Sequence, residues 1–181
     1  MINLLDSTNM KKIQLYLIIC FGIFQTAWSQ QDLKRANDLF TKAHYADAIS
    51  LYEAALPYNK NSEVIKNLAD SYYHTFDLKA AARWYRYLIS NYGDKVNEQY
   101  YFKLSQSLKA IGEYEKAHKD FEKSITIDTS STSAYYYRHK IYEKQDLIEK
   151  QKADLLKTIK MDPNDPEGYY LSLIHISEPR D

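Results

Sequence analysis

The chain has 181 residues with 24 Lys plus Arg against 24 Asp plus Glu, so its formal net charge is zero. A neutral, evenly mixed surface argues against a general binder of nucleic acid or of anionic membranes. One cysteine and four unclustered glycines leave no material for a disulfide framework, a thiolate metal site or a phosphate-cradling loop.

In chain order, Lys11-Lys12 leads into the apolar run Ile13 to Phe24, then Gln25-Thr26 and the small-residue stretch Ala27-Trp28-Ser29. This is the order of a secretory signal peptide over 10–29, cut between Ser29 and Gln30. Its apolar core of about a dozen residues is shorter than the roughly 20 that a permanent span needs, so no integral span is expected after cleavage, the alternative being a leader retained uncleaved as an anchor. Translation is then expected to start at Met10, which makes Met1 to Asn9 an upstream extension. Cys20 is not expected to carry a lipid, because Ile19 stands where a lipoprotein motif needs a small residue.

From Gln30 onward the apolar residues follow a helical period. Ala36, Leu39 and Phe40 are followed by Tyr45, Ala48, Ile49, Tyr52, Ala55 and Leu56. Ile65, Leu68, Ala69, Tyr72 and Tyr73 share one helical face, and after a break at Thr75-Phe76-Asp77 so do Leu78, Ala81, Ala82, Tyr85, Leu88 and Ile89. A third pair sets Leu104 and Leu108 against Tyr114, Ala117, Phe121 and Ile125, with Gly112 at the turn, where a left-handed backbone costs least. A fourth runs from Ala134 to Pro163, with Gln151 in the place of Ala48, Ala81 and Ala117. A buried amide there without a partner costs roughly 1–3 kcal/mol, so Gln151 must find a partner or the unit packs loosely. A fifth unit opens at Asp165.

The recurrence every 34 or so residues of small residue, aromatic and aliphatic resembles the tetratricopeptide repeat family. The units fall at about 30–61, 62–95, 98–131 and 132–163, with a partial fifth at 165–170. The resemblance implies an all-α, right-handed superhelical solenoid of antiparallel helix hairpins. Its concave face, lined by the first helix of each pair, would receive a protein or peptide partner. Departures from the family pattern are Ala43 and Asp146, at turns where glycine is usual, and Gln151.

On the face implied by the family lie Asn37 and Phe40; Lys66, Asp70 and Tyr73; Phe102, Gln106 and Lys109; and Tyr136, Lys140 and Glu143. Their mix of aromatics and both charge signs suits a polypeptide. Tyr73 and Phe102 are expected to serve the partner rather than the core. A carboxylate clamp of the chaperone-binding kind is not expected: Asn37 and Asn67 match it, but Leu33 and Gln99 stand where lysines are wanted. Most of the 18 tyrosines, including Tyr45, Tyr52, Tyr85 and Tyr114, fall on core-facing positions.

No catalytic residues, metal site or cofactor are expected. His118 and Glu122 lie one helical turn apart but lack a third ligand, and read as a solvated face. His44, His74 and His139 read as surface residues beside turns or on polar faces. The tail from Leu171 to Asp181 resembles the translation of a transposase adapter used in sequencing libraries, so the gene is expected to continue past Tyr170.

The expectation is an exported, periplasmic or outer-membrane-associated scaffold of a Gram-negative bacterium, without catalytic activity in this segment. The segments 68–73, 81–85 and 107–114 also resemble the repeat region of exported Bacteroidetes proteins that carry an OmpA-like, peptidoglycan-binding domain further on. That resemblance implies an envelope-associated assembly role. The remaining alternative is a regulatory arm on a downstream enzyme.

Overall fold

The computed structural model describes residues 7–93 and 97–164. Among them are eight α-helices: α1 (Ser7–Thr41), α2 (Tyr45–Ala55), α3 (Ser62–His74), α4 (Leu78–Asn91), α5 (Glu98–Ala110), α6 (Tyr114–Ile127), α7 (Thr132–Lys144) and α8 (Ile148–Met161). The expected fifth unit over 165–170 and the tail 171–181 lie outside the described residues. No helix among the described residues is long and apolar enough to cross a membrane.

Four hairpins follow from four short turns. α1 packs on α2, α3 on α4, α5 on α6 and α7 on α8, and each hairpin leans on the next through α2·α3, α4·α5 and α6·α7. The first helices also touch, α1 with α3 and α5 with α7, so the odd-numbered helices share one face of a solenoid. α1 runs unbroken from the expected leader into the first repeat. Met10, Ile13, Leu15, Tyr16 and Leu17, on its N-terminal part, are exposed.

Every hairpin turn places its hinge residue in the left-handed region: Ala43 (φ 61°), Phe76 (φ 62°), Gly112 (φ 83°) and Asp146 (φ 56°). The motif behind this is a closed helix end. The amide of His44 donates to the Leu39 carbonyl, Glu113 to Leu108 and Leu147 to Tyr142, satisfying carbonyls that the helix leaves open. Ala43 and Asp146 therefore adopt the glycine conformation without being glycine, and Phe76 does so as well. Phe76 is 83% exposed and buries almost nothing in return. Replacing it with glycine should raise stability by about 0.5–1 kcal/mol, the difference between relieved backbone strain and added unfolded-state entropy. A urea melt that shows no gain would mean that the Phe76 ring contributes packing its exposure hides.

Side chains at equivalent positions form the core. Ala48, Ala81 and Ala117 are fully buried where two helices cross, and one turn on, Tyr52, Tyr85, Phe121 and Leu155 fill the space beyond them. On the first helices the matching small positions are Ala36, Ala69 and Ser105, all buried. In the fourth hairpin both small positions change at once, to His139 and Gln151. His139 is 0% exposed, so its expected surface position is corrected. Its period places it on the crossing face, where Nδ1 lies 3.4 Å from the Gln151 carbonyl oxygen. Gln151 is buried too, and its Nε2 has no hydrogen-bond partner among the described residues. Gln151→Ala should then stabilise the array by about 1 kcal/mol, because an unsatisfied buried amide costs more than its methylenes return. A lowered melting temperature would overturn this.

Candidate functional site

The face made by α1, α3, α5 and α7 carries three registers of side chains, one helical turn apart. The first holds Lys66, Phe102 and Tyr136; the second Asn37, Asp70, Gln106 and Lys140; the third Phe40, Tyr73, Lys109 and Glu143. The residue on the paired second helix decides what becomes of the middle register. In the first hairpin Tyr52 donates its hydroxyl to Asn37 Oδ1 at 2.7 Å, and in the second Tyr85 donates to Asp70 Oδ1 at 2.5 Å. The third and fourth hairpins have Phe121 and Leu155 in that place, with no hydroxyl to give. Gln106 instead accepts from the Tyr73 hydroxyl, and Lys140 sits loosely at 3.6 Å from Glu143.

Asp70 is the centre of a buried polar network. Besides Tyr85 it accepts from Lys103 Nζ at 2.6 Å, and Lys66 Nζ lies 3.2 Å from its other oxygen. Burial alone would raise its pKa, but the hydrogen bonds from Lys103 and Tyr85 and the charges of Lys103 and Lys66 outweigh it and hold the carboxyl below its ordinary value. The same neighbour pushes the Tyr85 hydroxyl the other way: burial first, then the Asp70 charge, raise its pKa far above normal. Asp70, expected on the partner-binding face, is only 4% exposed, and its oxygens are taken up by Tyr85, Lys103 and Lys66. It locks α3 to α4 and α5 rather than meeting solvent.

Phe102 is likewise half-buried, edge-on to Phe121 (5.8 Å between ring centroids) and to Tyr137 (5.6 Å). Tyr73 packs against the same core. Truncating either ring is therefore expected to lower stability, contrary to a purely partner-facing role. His118 also leaves the solvated face expected of it: its Nε2 is 2.8 Å from the Tyr142 hydroxyl, an α6–α7 contact, while Glu122 stands 3.8 Å away. Tyr45 and Tyr114 are half-buried, in contrast to the fully enclosed Tyr52 and Tyr85.

Two adjoining hollows open along the face. One, of about 370 Å³, is lined mainly by Tyr73, Phe76, Leu78, Gln106 and Ala110. The other, of about 420 Å³, is lined by Tyr114, Tyr136, Lys140, Glu143 and Lys144. Lys109 and Tyr137 border both, with the Lys109 ammonium 4.6 Å from the Tyr137 ring centroid. Sequence reasoning does not single out Lys103, Tyr137 or Lys144. The available signal was the change from Tyr52 and Tyr85 to Phe121 and Leu155, which leaves Gln106 and Lys140 without the second-helix hydroxyl that Asn37 and Asp70 receive. No group of three or more His, Cys, Asp or Glu able to hold a metal occurs among the described residues.

No family model and no curated protein matches the sequence. Solved structures do match. A crystal structure of MamA superposes with a TM-score of 0.74 at 20% identity, covering 81% of this chain and 80% of that one. YrrB, described as a TPR protein with an unusual peptide-binding site, gives 0.70 at 13% identity over 81% and 75%. The TPR domain of Arabidopsis OM64 gives 0.59 at 20% identity over 65% and 96%. The chain has the tetratricopeptide-repeat fold, an all-α solenoid of antiparallel hairpins.

Proposed function

We propose that this chain is a non-catalytic scaffold that binds an extended polypeptide along the first-helix face, with the second half of the array as the grip. The observation that carries this reading is the pair of adjoining hollows along the face of α3, α5 and α7, lined by partly exposed aromatic and charged side chains. A preformed groove on packed helices limits the ordering cost of association. YrrB has the same fold and is described as having a peptide-binding site, which supports a peptide reading here. Gln106, Lys109, Tyr136, Lys140 and Glu143 are the contact residues. Asn37, Phe40, Lys66, Asp70, Tyr73 and Phe102 shape the face that presents them.

The test is selection of peptides from a random display library, followed by hydrogen exchange on the resulting complex. New protection should fall on α3, α5 and α7. Protection on α4, α6 and α8 instead would overturn the reading.

The segment 10–29 serves as an export leader, a reading supported by the exposed apolar side chains from Ile13 to Leu17, which take no part in the repeat core. The scaffold then works in the periplasm or at the outer membrane, as the arm of an envelope assembly protein. Residues 10–29 fused ahead of leaderless alkaline phosphatase should give active exported enzyme, and inactive cytoplasmic fusion would remove the export reading.

A further inference from the structure

The two hollows differ in chemistry, and Lys109 stands between them. The larger one gathers Lys109, Lys140 and Lys144 against the single carboxylate of Glu143, an excess of positive charge in a chain whose net charge is zero. Lys140 is weakly engaged with Glu143. Lys109 forms no ion pair with a carboxylate among the described residues; the nearby charge that acts on it is another lysine. Burial first, and then the Lys140 ammonium, lower its pKa. Two ammonium groups brought together in a half-enclosed hollow destabilise the empty fold, and an arriving anion removes that penalty.

The smaller hollow is apolar, with Leu78, Ala110 and the Tyr73 ring in its wall. Phe76, at its edge, is held out to solvent on a left-handed backbone that offers it no packing in return. Strain combined with an exposed aromatic at the mouth of a groove is the arrangement expected of a contact residue.

We propose that the groove takes an acidic segment of a partner polypeptide, with one carboxylate between Lys109 and Lys140 and a neighbouring apolar side chain in the hollow beside Phe76. This rests on the peptide-scaffold reading and narrows it. A free phosphate or other small anion would satisfy the lysines but leave the apolar hollow empty. A neutral apolar peptide would fill that hollow and leave the lysines unpaired. Only a segment carrying both kinds of side chain uses the whole groove. Carboxylate contacts to two partly desolvated ammonium groups are charge-assisted and therefore among the stronger hydrogen bonds available at such a surface.

The probe is a short fluorescein-labelled peptide, capped at both ends, of Asp and Glu around one Phe and one Leu. Its twin has Asn and Gln at the acidic positions. The acidic peptide should bind the full chain and the twin should not. K109Q and K140Q should each weaken binding about tenfold, the loss of one charge-assisted contact. The melting temperature of K109Q should be unchanged or higher, because a like-charge contact has gone. F76G should also bind more weakly while melting higher.

Equal binding of the twin, or full binding by K109Q and K140Q, would overturn the acidic-segment proposal while leaving the scaffold reading in place. Displacement of the probe by inorganic phosphate beyond what matched sodium chloride achieves would reduce the site to one for simple anions, and overturn it too. Absence of any binding by the acidic peptide also overturns it, and the scaffold reading then stands or falls on the peptides selected from the random library.

Discussion

Replacing Asp70 with alanine should lower the stability of the array by about 2–3 kcal/mol. Removing one partner of a buried ion pair costs about 3–5 kcal/mol, but Lys66 and Lys103 are partly exposed and recover hydration once released, which reduces the loss. The Tyr85 hydroxyl is not so placed: it is fully buried and would be left without its acceptor. The conservative change Asp70→Asn keeps the shape and an acceptor oxygen and removes only the charge, so it should cost less, about 1–2 kcal/mol.

That smaller variant also isolates a pH effect. The native Asp70 carboxyl ionises below its ordinary value of 3.8. A carboxyl that is more acidic in the fold than in the unfolded chain contributes stability above the unfolded value and loses it as pH falls through the native one. Urea midpoints of the wild type and Asp70→Asn should therefore stay apart at neutral pH and draw together below about pH 4. A gap that persists undiminished into acid would show that the charge is not what holds α3, α4 and α5 together.

Phe121→Ala should be more damaging still, at about 3–5 kcal/mol, the usual range for emptying a large aromatic site in a core. Phe121 is fully buried on α6, and its ring lies edge-on to Phe102 of α5 and parallel to Tyr137 of α7, at 5.8 Å and 6.3 Å between centroids. One side chain thus ties the third hairpin together and joins it to the fourth. In a solenoid, stability is close to a sum of repeat and neighbour terms, so the loss should be local. Hydrogen exchange should show α7 and α8 losing protection first, while α3 and α4 keep theirs. Uniform loss across all four hairpins would contradict this. Since Tyr137 borders both hollows, the same variant should also weaken peptide binding.

The hairpins themselves were legible in the sequence because helix period and turn chemistry are local. Ala48, Ala81 and Ala117 recur at one position, and the break at Thr75-Phe76-Asp77 marks the end of α3 and the start of α4. The candidate binding strip was legible only as positions. Family register locates Asp70 and Gln106 on one line of the face, but it cannot tell that Asp70 is enclosed by Tyr85, Lys103 and Lys66 while Gln106, bonded to Tyr73, stays partly exposed in the wall of a hollow.

His139 illustrates the same limit. A polar residue on a mixed helix reads as surface, until the register with Ala36, Ala69 and Ser105 puts it at the crossing opposite Gln151. Phe76 is a third instance, since nothing in its neighbours announces a left-handed backbone, and that conformation arises only when two helices must reverse over a three-residue turn.

The amino-acid sequence by itself determined that this protein is helical, where its helices break and that they pair in order, because those properties depend on residues within a turn or two of each other. The tertiary structure alone decided which polar side chains of the first-helix face are taken up by the fold. That choice depends on whether a residue 15 positions along presents a hydroxyl, as Tyr52 and Tyr85 do, or a bare hydrocarbon, as Phe121 and Leu155 do. A buried donor will claim any acceptor within reach, and only packing brings the two together.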